Sequence, residues 1–438
     1  MKKIKLSTFL YLLLLILSNP TNAQSNKNVK LLLLNGEYKK AITILEEKLK
    51  DKDSLIFNEY NSLGIAYQNL MNHTKALQMF YKANKIQPEN LRSLLLLANA
   101  NSALNRNNTA KKYYKKIIEL DSSNETAMIN LGKVLMELTE YDSAATLFGK
   151  LLLTDTTNSY FYSQLGVCEL KKGNKNSAKE YLEKSVKLNN NNVKTILRLA
   201  KLYYADKQYD KAKEILKQGL RQNLHNKLLN KMIAEVYYKQ KEYEDAIVKY
   251  LFAITTGDSS SQTYQKLGMS YYYLSFTKNI GNSKMKEMKL REGISAFEKS
   301  YAKDNNNALT ALYLGLCHKA LGEYKIAIKY FEESLNKMFP EYIGEVYKNL
   351  AVSNEHVKNY KDAIANYRKA INYLPSDRLL IFYLASVYDR YYKDKSIALD
   401  YYKKFLNEND NADVKLIEYS KDRIEKLNKE INFWKRKR

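Results

Sequence analysis

Hydrophobic positions along the chain repeat every 34 residues, beginning at Phe57. In ten successive blocks the eighth place is Gly or Ala, and the twentieth is Ala in every block but one, where it is Gly293. Apolar residues within each half of a block are spaced three and four apart, which is typical of an amphipathic α-helix. The pattern therefore predicts two helices per block. The seventh place is always Leu or Ile: Leu63, Leu97, Leu131, Leu165, Leu199, Ile233, Leu267, Leu314, Leu350 and Leu384.

The small residues at the eighth and twentieth places predict where the two helices of a block cross. Only Gly, Ala or a similarly small residue lets two helix backbones come this close. Aromatic residues such as Tyr67 and Phe80 are expected to fill the space between one helical hairpin and the next. Because a single hairpin cannot bury its apolar face, the hairpins are expected to stack.

The first complete block carries one diagnostic set of residues: Tyr60, Leu63, Gly64, Tyr67, Ala76, Phe80, Ala83 and Pro88. With these residues it resembles the tetratricopeptide repeat. The resemblance continues over most of residues 28–411 and implies an all-α superhelical solenoid of about eleven helical hairpins with a C-terminal capping helix. It implies little about function, because members of this family bind many unrelated partners.

Departures from the period define the predicted organisation. Residues 24–56 are interpreted as a degenerate first repeat and residues 57–412 as tandem repeats. Between Gly268 and Gly315 the period is 47, and the 13 extra residues, placed at 275–287, are expected to form a surface loop. Residues 413–438 are predicted to be a capping helix with a basic tail. The apolar face of that helix would comprise Ile417, Ile424, Leu427, Ile431 and Trp434.

Residues 1–23 are typical of a secretory signal peptide. Three lysines precede an apolar run of 12 residues, Leu6–Leu17, and a small residue, Ala23, precedes the expected cleavage site. The apolar run is shorter than the roughly 20 residues that span a bilayer. The mature protein is therefore predicted to begin at Gln24 and to be exported, with the bacterial periplasm as its expected location. Retention of the segment as an uncleaved anchor is the alternative.

The formal net charge is +25, and removal of residues 1–23 would leave +22. Such an excess attracts anionic partners but does not determine a fold. Nucleic acid is the usual partner of a basic chain, but export argues against it, so no nucleic acid is predicted. A biased base composition is an equal explanation of the many Lys and Asn residues.

Candidate catalytic chemistry is sparse. Cys168 and Cys317 both occupy the tenth place, where other blocks hold small or apolar residues, so both thiols are expected in the core. The four histidines have no metal-ligand spacing, and no nucleophile or phosphate-loop motif occurs. The chain is therefore expected to be non-catalytic, with no cofactor and no metal.

In tetratricopeptide proteins the first helix of each hairpin lines a concave groove, which here implies groove positions at the second, fifth, ninth and twelfth places. The twelfth place is Tyr in three successive repeats, as Tyr204, Tyr238 and Tyr272. These rings are expected to offer flat apolar faces with a polar tip, which suits an extended peptide or a sugar chain. We expect Tyr238→Ala to leave folding nearly intact, because the adjacent Tyr237 carries the packing.

Basic residues accompany this tyrosine ladder. Lys194 and Arg198 match two places of a clamp that some family members use for a peptide's C-terminal carboxylate. Ile129 and Gln164 stand where Lys and Asn would be expected, so the complete clamp is absent. With 38 Tyr and many Lys in the chain, composition alone is an alternative origin of both clusters. The predicted ligand groove comprises Lys133, Lys194, Arg198, Lys201, Tyr204, Lys231, Tyr238 and Tyr272.

Three functional classes follow in order. The first is a scaffold or adaptor that binds a protein or an extended peptide in the cell envelope. The second is a binder of an anionic envelope glycan or lipid through the basic, tyrosine-lined groove. An enzyme with a site assembled from distant repeats is the third. Partner capture from a detergent-solubilised envelope distinguishes the first class from the second.

Overall fold

A computed structural model describes residues 23–52, 55–278, 281–337, 340–408 and 413–436. Those residues form helices and no strand. The protein is therefore all-α, as predicted. Its helices are α1 (Ala23–Leu34), α2 (Tyr38–Lys52), α3 (Phe57–Asn69), α4 (His73–Ile86), α5 (Leu91–Ala103), α6 (Asn107–Leu120), α7 (Glu125–Glu137), α8 (Tyr141–Thr154), α9 (Ser159–Lys172), α10 (Lys175–Leu188), α11 (Val193–Ala205), α12 (Tyr209–Gln222), α13 (Lys227–Lys239), α14 (Tyr243–Thr255), α15 (Ser261–Leu274), α16 (Ser283–Lys303), α17 (Ala308–Ala320), α18 (Tyr324–Leu335), α19 (Pro340–His356), α20 (Tyr360–Tyr373), α21 (Leu379–Tyr391), α22 (Ser396–Asn407) and α23 (Val414–Arg436).

The helices fall into two compact units, residues 1–195 and 196–438. Within each unit, consecutive helices pair as hairpins and each hairpin packs against the next, so each unit is a helical solenoid. Of the predicted signal segment, only Ala23 lies among the described residues. No helix in the described ranges is both long and apolar enough to span a bilayer.

A left-handed residue ends the first helix in most of the repeats. It stands at the fifteenth place, for example Lys241 with φ +64° and Gly173 with φ +92°. A non-glycine residue in this conformation costs about 1–2 kcal/mol, which tertiary packing must offset. At the other joint, Asn side chains such as Asn90 and Asn124 accept hydrogen bonds from the first turn of the following helix.

The two helices of a hairpin meet at the eighth, twentieth and twenty-fourth places. The Ala or Gly at the twentieth place packs in the core, and an aromatic ring at the twenty-fourth place lies against the eighth residue in several hairpins. A Cβ added to Gly132 would lie 2.6 Å from the Phe148 ring, and one added to Gly315 would lie 2.6 Å from Phe331. These glycines are therefore required by close packing rather than by backbone conformation.

The extra residues at 275–287 are only partly a loop. Ser275 ends α15 without the left-handed turn of the other repeats, and Gly281 lies in the connection with φ +66°. Asn282 then caps α16, which begins at Ser283 and is 21 residues long. The expected surface loop is thus limited to 275–282, and residues 283–287 extend the second helix of the hairpin instead.

The last helix packs against the final hairpin. Leu427 is fully buried, and Ile424 and Ile431 contact the same apolar cluster. Arg423 donates to both oxygens of Asp389, with Nε to Oδ2 at 2.6 Å and Nη2 to Oδ1 at 2.8 Å. Burial disfavours the Asp389 carboxylate, but the charge and hydrogen bonds of Arg423 outweigh it and lower the pKa of Asp389. The Trp434 side chain lies outside the part of the chain whose side chains are described.

Two glycines of one hairpin offer a matched test of this packing. We expect Gly132→Ala to reduce the free energy of unfolding by about 1–3 kcal/mol, because the Phe148 ring must move. Gly149 lies in α8 with no atom within 4 Å of an added Cβ. Gly149→Ala is therefore expected to add about 0.5–1 kcal/mol, through a lower backbone entropy of the unfolded chain. Urea unfolding of both variants measures the contrast, and equal effects would contradict the packing argument.

Candidate functional site

The predicted groove residues divide between the two units. Lys133 and Lys194 belong to residues 1–195, and the other six belong to residues 196–438. In the second unit, the first helices of adjacent hairpins lie side by side, as α13 and α15 do. We call the surface formed by the ninth and twelfth places of α11, α13 and α15 the groove face. Lys201 is exposed on α11, and the three tyrosines of the ladder are half-buried.

The tyrosine rings of the groove face pack against other rings. Tyr204 meets Tyr209 edge-on, with ring centroids 5.5 Å apart. Tyr238 meets Tyr243 at 5.8 Å and Tyr273 at 6.1 Å, both edge-on. The ladder therefore does not present the free flat faces that the sequence analysis expected. The partners Tyr209 and Tyr243 recur at the seventeenth place, and that repetition was the signal available in the sequence.

The third tyrosine of the ladder, Tyr272, is also enclosed by aromatic rings. Its centroid lies 5.0 Å from Phe276 and 5.4 Å from Tyr313. The hydroxyls of Tyr273 and Tyr313 form a 2.7 Å hydrogen bond beside it. The expectation that a groove tyrosine contributes little to folding is therefore revised. We infer that Tyr238 and Tyr272, like the buried Tyr237, stabilise the stack.

Burial raises the pKa of the ladder tyrosines. The pKa of Tyr204 rises to about 12 through burial, with smaller effects from the charges of Glu235 and Tyr209. The pKa of Tyr272 also rises to about 12, again chiefly through burial. At neutral pH these hydroxyls are protonated and can donate hydrogen bonds.

Lys231 is engaged within the protein. Its Nζ lies 3.4 Å from the Asp258 carboxylate and 3.4 Å from the Ser260 hydroxyl. These contacts connect α13 to the turn before α15. The charge of this predicted ligand residue is therefore largely balanced by Asp258.

Glu235 is the residue that the sequence analysis did not include in the site. It is a half-buried side chain at the ninth place of α13, between Lys231 and Tyr238 on one helix face. It forms no hydrogen bond or ion pair with any described residue. Burial raises the pKa of its carboxyl, although the charges of Lys231, Lys266 and Lys201 oppose that shift. A carboxylate at a place held by Lys201 and Met269 in neighbouring repeats was the only signal in the sequence.

Lys266 lies beside Glu235 on the next first helix. It is half-buried, and its Nζ lies 5.1 Å from the centroid of the Tyr238 ring. Burial lowers the pKa of Lys266, against the opposing charge of Glu235. The two groups influence each other electrostatically, yet they form no ion pair within the described chain.

Tyr250 forms the floor of this region. It is fully buried at the twenty-fourth place of its repeat, and its hydroxyl has no hydrogen-bond partner among the described residues. Burial, followed by the neighbouring Glu235, Tyr204 and Tyr238, raises its pKa. An unpartnered buried hydroxyl costs about 1–3 kcal/mol.

An equivalent tyrosine in the first unit shows what a satisfied hydroxyl looks like. Tyr114 also stands at the twenty-fourth place, and it donates to Asn99 Oδ1 at 2.5 Å. Asn99 occupies the ninth place, which is where Glu235 stands relative to Tyr250. Tyr367 likewise donates to a first-helix side chain, Glu355, at 3.0 Å. The twenty-fourth hydroxyl is thus directed at the first helix of its own hairpin.

Family comparisons agree with the repeat pattern. The tetratricopeptide repeat family matches residues 169–232, and a second form of the repeat matches residues 60–90, 91–124 and 313–336. The chain contains tetratricopeptide repeats. No curated protein matches it significantly. In the described ranges, no three His, Cys, Asp or Glu side chains are grouped to hold a metal ion.

Several solved structures resemble the repeat chain at low identity. The Cut9–Hcn1 hetero-tetramer of the APC/C is 14% identical with a TM-score of 0.42, over 96% of this chain and 99% of that one. YrrB, described as having an unusual peptide-binding site, is 16% identical with a TM-score of 0.40, over 46% and 97%. The human IFIT1 dimer with m7Gppp-AAAA is 17% identical with a TM-score of 0.37, over 86% and 95%. At these scores none bears on what this chain binds.

The two tyrosines at the twenty-fourth place give a test of the unpartnered hydroxyl. Tyr114→Phe removes the bond to Asn99 and is expected to reduce the free energy of unfolding by about 1 kcal/mol. Tyr250→Phe removes a hydroxyl that has no partner, so the free energy of unfolding should stay the same or rise. Denaturant unfolding of the two variants measures the difference. A loss of stability in Tyr250→Phe as large as in Tyr114→Phe would show that the Tyr250 hydroxyl is bonded within the protein.

Proposed function

We propose that this chain is a non-catalytic scaffold of the bacterial cell envelope that binds an extended peptide segment of a partner protein on the groove face. A tetratricopeptide scaffold is consistent with a protein-binding role. The extended peptide, the envelope location and the exclusion of nucleic acid are the specific parts of the proposal.

One observation supports a peptide over the alternative ligand. The ladder rings are packed edge-on against other rings or lie beneath Lys266, whereas Glu235 and Lys266 have no hydrogen-bond partner in the described chain. Sugar binding relies on open aromatic faces, which stack on the sugar ring. An extended peptide instead offers N–H and C=O groups along its length, and these match a surface of polar side chains. The second candidate, an anionic glycan or lipid, is favoured by exposed cations such as Lys201 and Lys194 and by the net charge of +25.

Charge reversal at a groove-face and a control lysine distinguishes the two candidates. Peptides selected from a random library on the purified protein are expected to bind Lys201→Glu about fivefold or more weakly than the parent chain, because that lysine lies on the groove face. Lys303→Glu, at the exposed end of α16, should bind them unchanged. Titration calorimetry measures the affinities. Failure to select any peptide, with salt-sensitive binding to phosphatidylglycerol vesicles or acidic polysaccharide, would favour the second candidate.

Export is tested separately. N-terminal sequencing of the protein purified from its native envelope is expected to begin at Gln24, because the apolar run and Ala23 define the cleavage site. A sequence beginning at Met1 in a membrane fraction supports the uncleaved anchor. Recovery of the intact chain from the cytoplasm would contradict export and would restore nucleic acid as a partner to be tested.

A further inference from the structure

We propose that Glu235 and Lys266, with Tyr250 beneath them, form a binding site for a neutral amide group. The inference rests on the proposed peptide binding and specifies its chemistry at one point of the groove face. The amide would come from a peptide bond or from the side chain of Asn or Gln in the bound segment.

The site is incomplete within the protein itself. A carboxylate, an ammonium group and a hydroxyl lie in one region, and none of the three has a hydrogen-bond partner among the described residues. Glu235 and Lys266 are half-buried, and Tyr250 is fully buried. Polar groups withdrawn from water need partners, and here a ligand can supply them.

The pairing of opposite charges selects the ligand. A lone cation would satisfy Glu235 but would meet the charges of Lys266, Lys231 and Lys201. A lone anion would satisfy Lys266 but would meet the Glu235 carboxylate. An amide presents a donor and an acceptor together, so its N–H can bond to Glu235 and its C=O to Lys266 without adding charge.

The first unit shows the same places closed by the protein's own amides. Asn99 at the ninth place accepts from Tyr114 at 2.5 Å, and it also accepts from Asn130 Nδ2, at the sixth place of the next repeat, at 3.3 Å. Glu235 and Lys266 occupy the corresponding ninth and sixth places. The amide–amide contact of the first unit is thus replaced by two charged groups that an external amide can bridge.

Tyr250 acts here as a positioning residue. Its hydroxyl is directed at the first helix, as that of Tyr114 is, and Glu235 stands at the place of Asn99. When Glu235 takes the ligand N–H, the Tyr250 hydroxyl can donate to the same carboxylate from below and hold it in place. The Tyr250→Phe variant should therefore bind more weakly although its stability is not reduced.

Four small probes test the charge of the ligand on the purified protein, labelled with ¹³C in its tyrosine rings. They are acetyl-tetraalanine N-methylamide, propionamide, sodium propionate and propylammonium chloride, compared at equal ionic strength. The NMR signal of Tyr250 is identified by its absence in Tyr250→Phe. A saturable shift of this signal with an amide supports the site. The tetrapeptide alone identifies the main chain as the source, and propionamide alone identifies an Asn or Gln side chain. Saturation by propionate or propylammonium only, or by no probe, overturns the proposal.

Two substitutions borrowed from neighbouring repeats test the residues. Met269 and Met232 occupy the places of Glu235 and Lys266 in adjacent repeats, so Glu235→Met and Lys266→Met should fold. Each is expected to weaken amide binding about tenfold or more, since each removes a hydrogen bond to a charged group. Lys303→Met serves as the unaffected control. If library-selected peptides bind both Met variants as tightly as the parent chain, the amide site is wrong and the peptide-binding function stands. If amides bind the site but no peptide is selected, the peptide-binding function is wrong instead.

Discussion

Each hairpin of this protein depends on the close approach of two helix backbones, where the eighth and twentieth residues cross. A hydrogen atom or a methyl group is all that fits between them, and the aromatic ring at the twenty-fourth place closes the gap from the side. Because van der Waals attraction falls steeply with separation, this contact sets the angle at which the hairpin opens. Stacking then follows, because each hairpin leaves an apolar face that only its neighbour can cover.

The same contact brings polar chemistry to the inner surface. A ring at the twenty-fourth place points across the hairpin toward its first helix, so a tyrosine there carries its hydroxyl to the ninth or twelfth place. In two repeats that hydroxyl bonds to Asn99 or Glu355, and the hairpin is complete. At Tyr250 it meets an acidic side chain that does not accept from it, and the hairpin retains unsatisfied groups. A scaffold can tolerate this loss because the many other contacts of the solenoid offset it.

The aromatic side chains have a different role from the one that their spacing first indicates. The rings of Tyr204, Tyr238 and Tyr272 are partly covered by Tyr209, Tyr243 and Tyr313. Aromatic rings in contact edge-on stabilise each other by about 0.5–1.5 kcal/mol beyond area burial. The tyrosines thus make the groove face rigid, whereas recognition falls to the charged and hydroxyl groups among them.

The amino-acid sequence by itself determined the repeat period, the pairing of helices, the positions of the small residues and the burial of Cys168 and Cys317. These follow from local periodicity and from volume, which each repeat states again. It also indicated which helix faces the groove, through the family resemblance. Only the tertiary structure decided that Lys231 is balanced by Asp258, that part of the extra segment lengthens α16, and that Glu235 lies beside Lys266 above Tyr250. Those facts depend on side chains from different helices or successive repeats, whose relative positions arise from packing and not from the pattern of any one block.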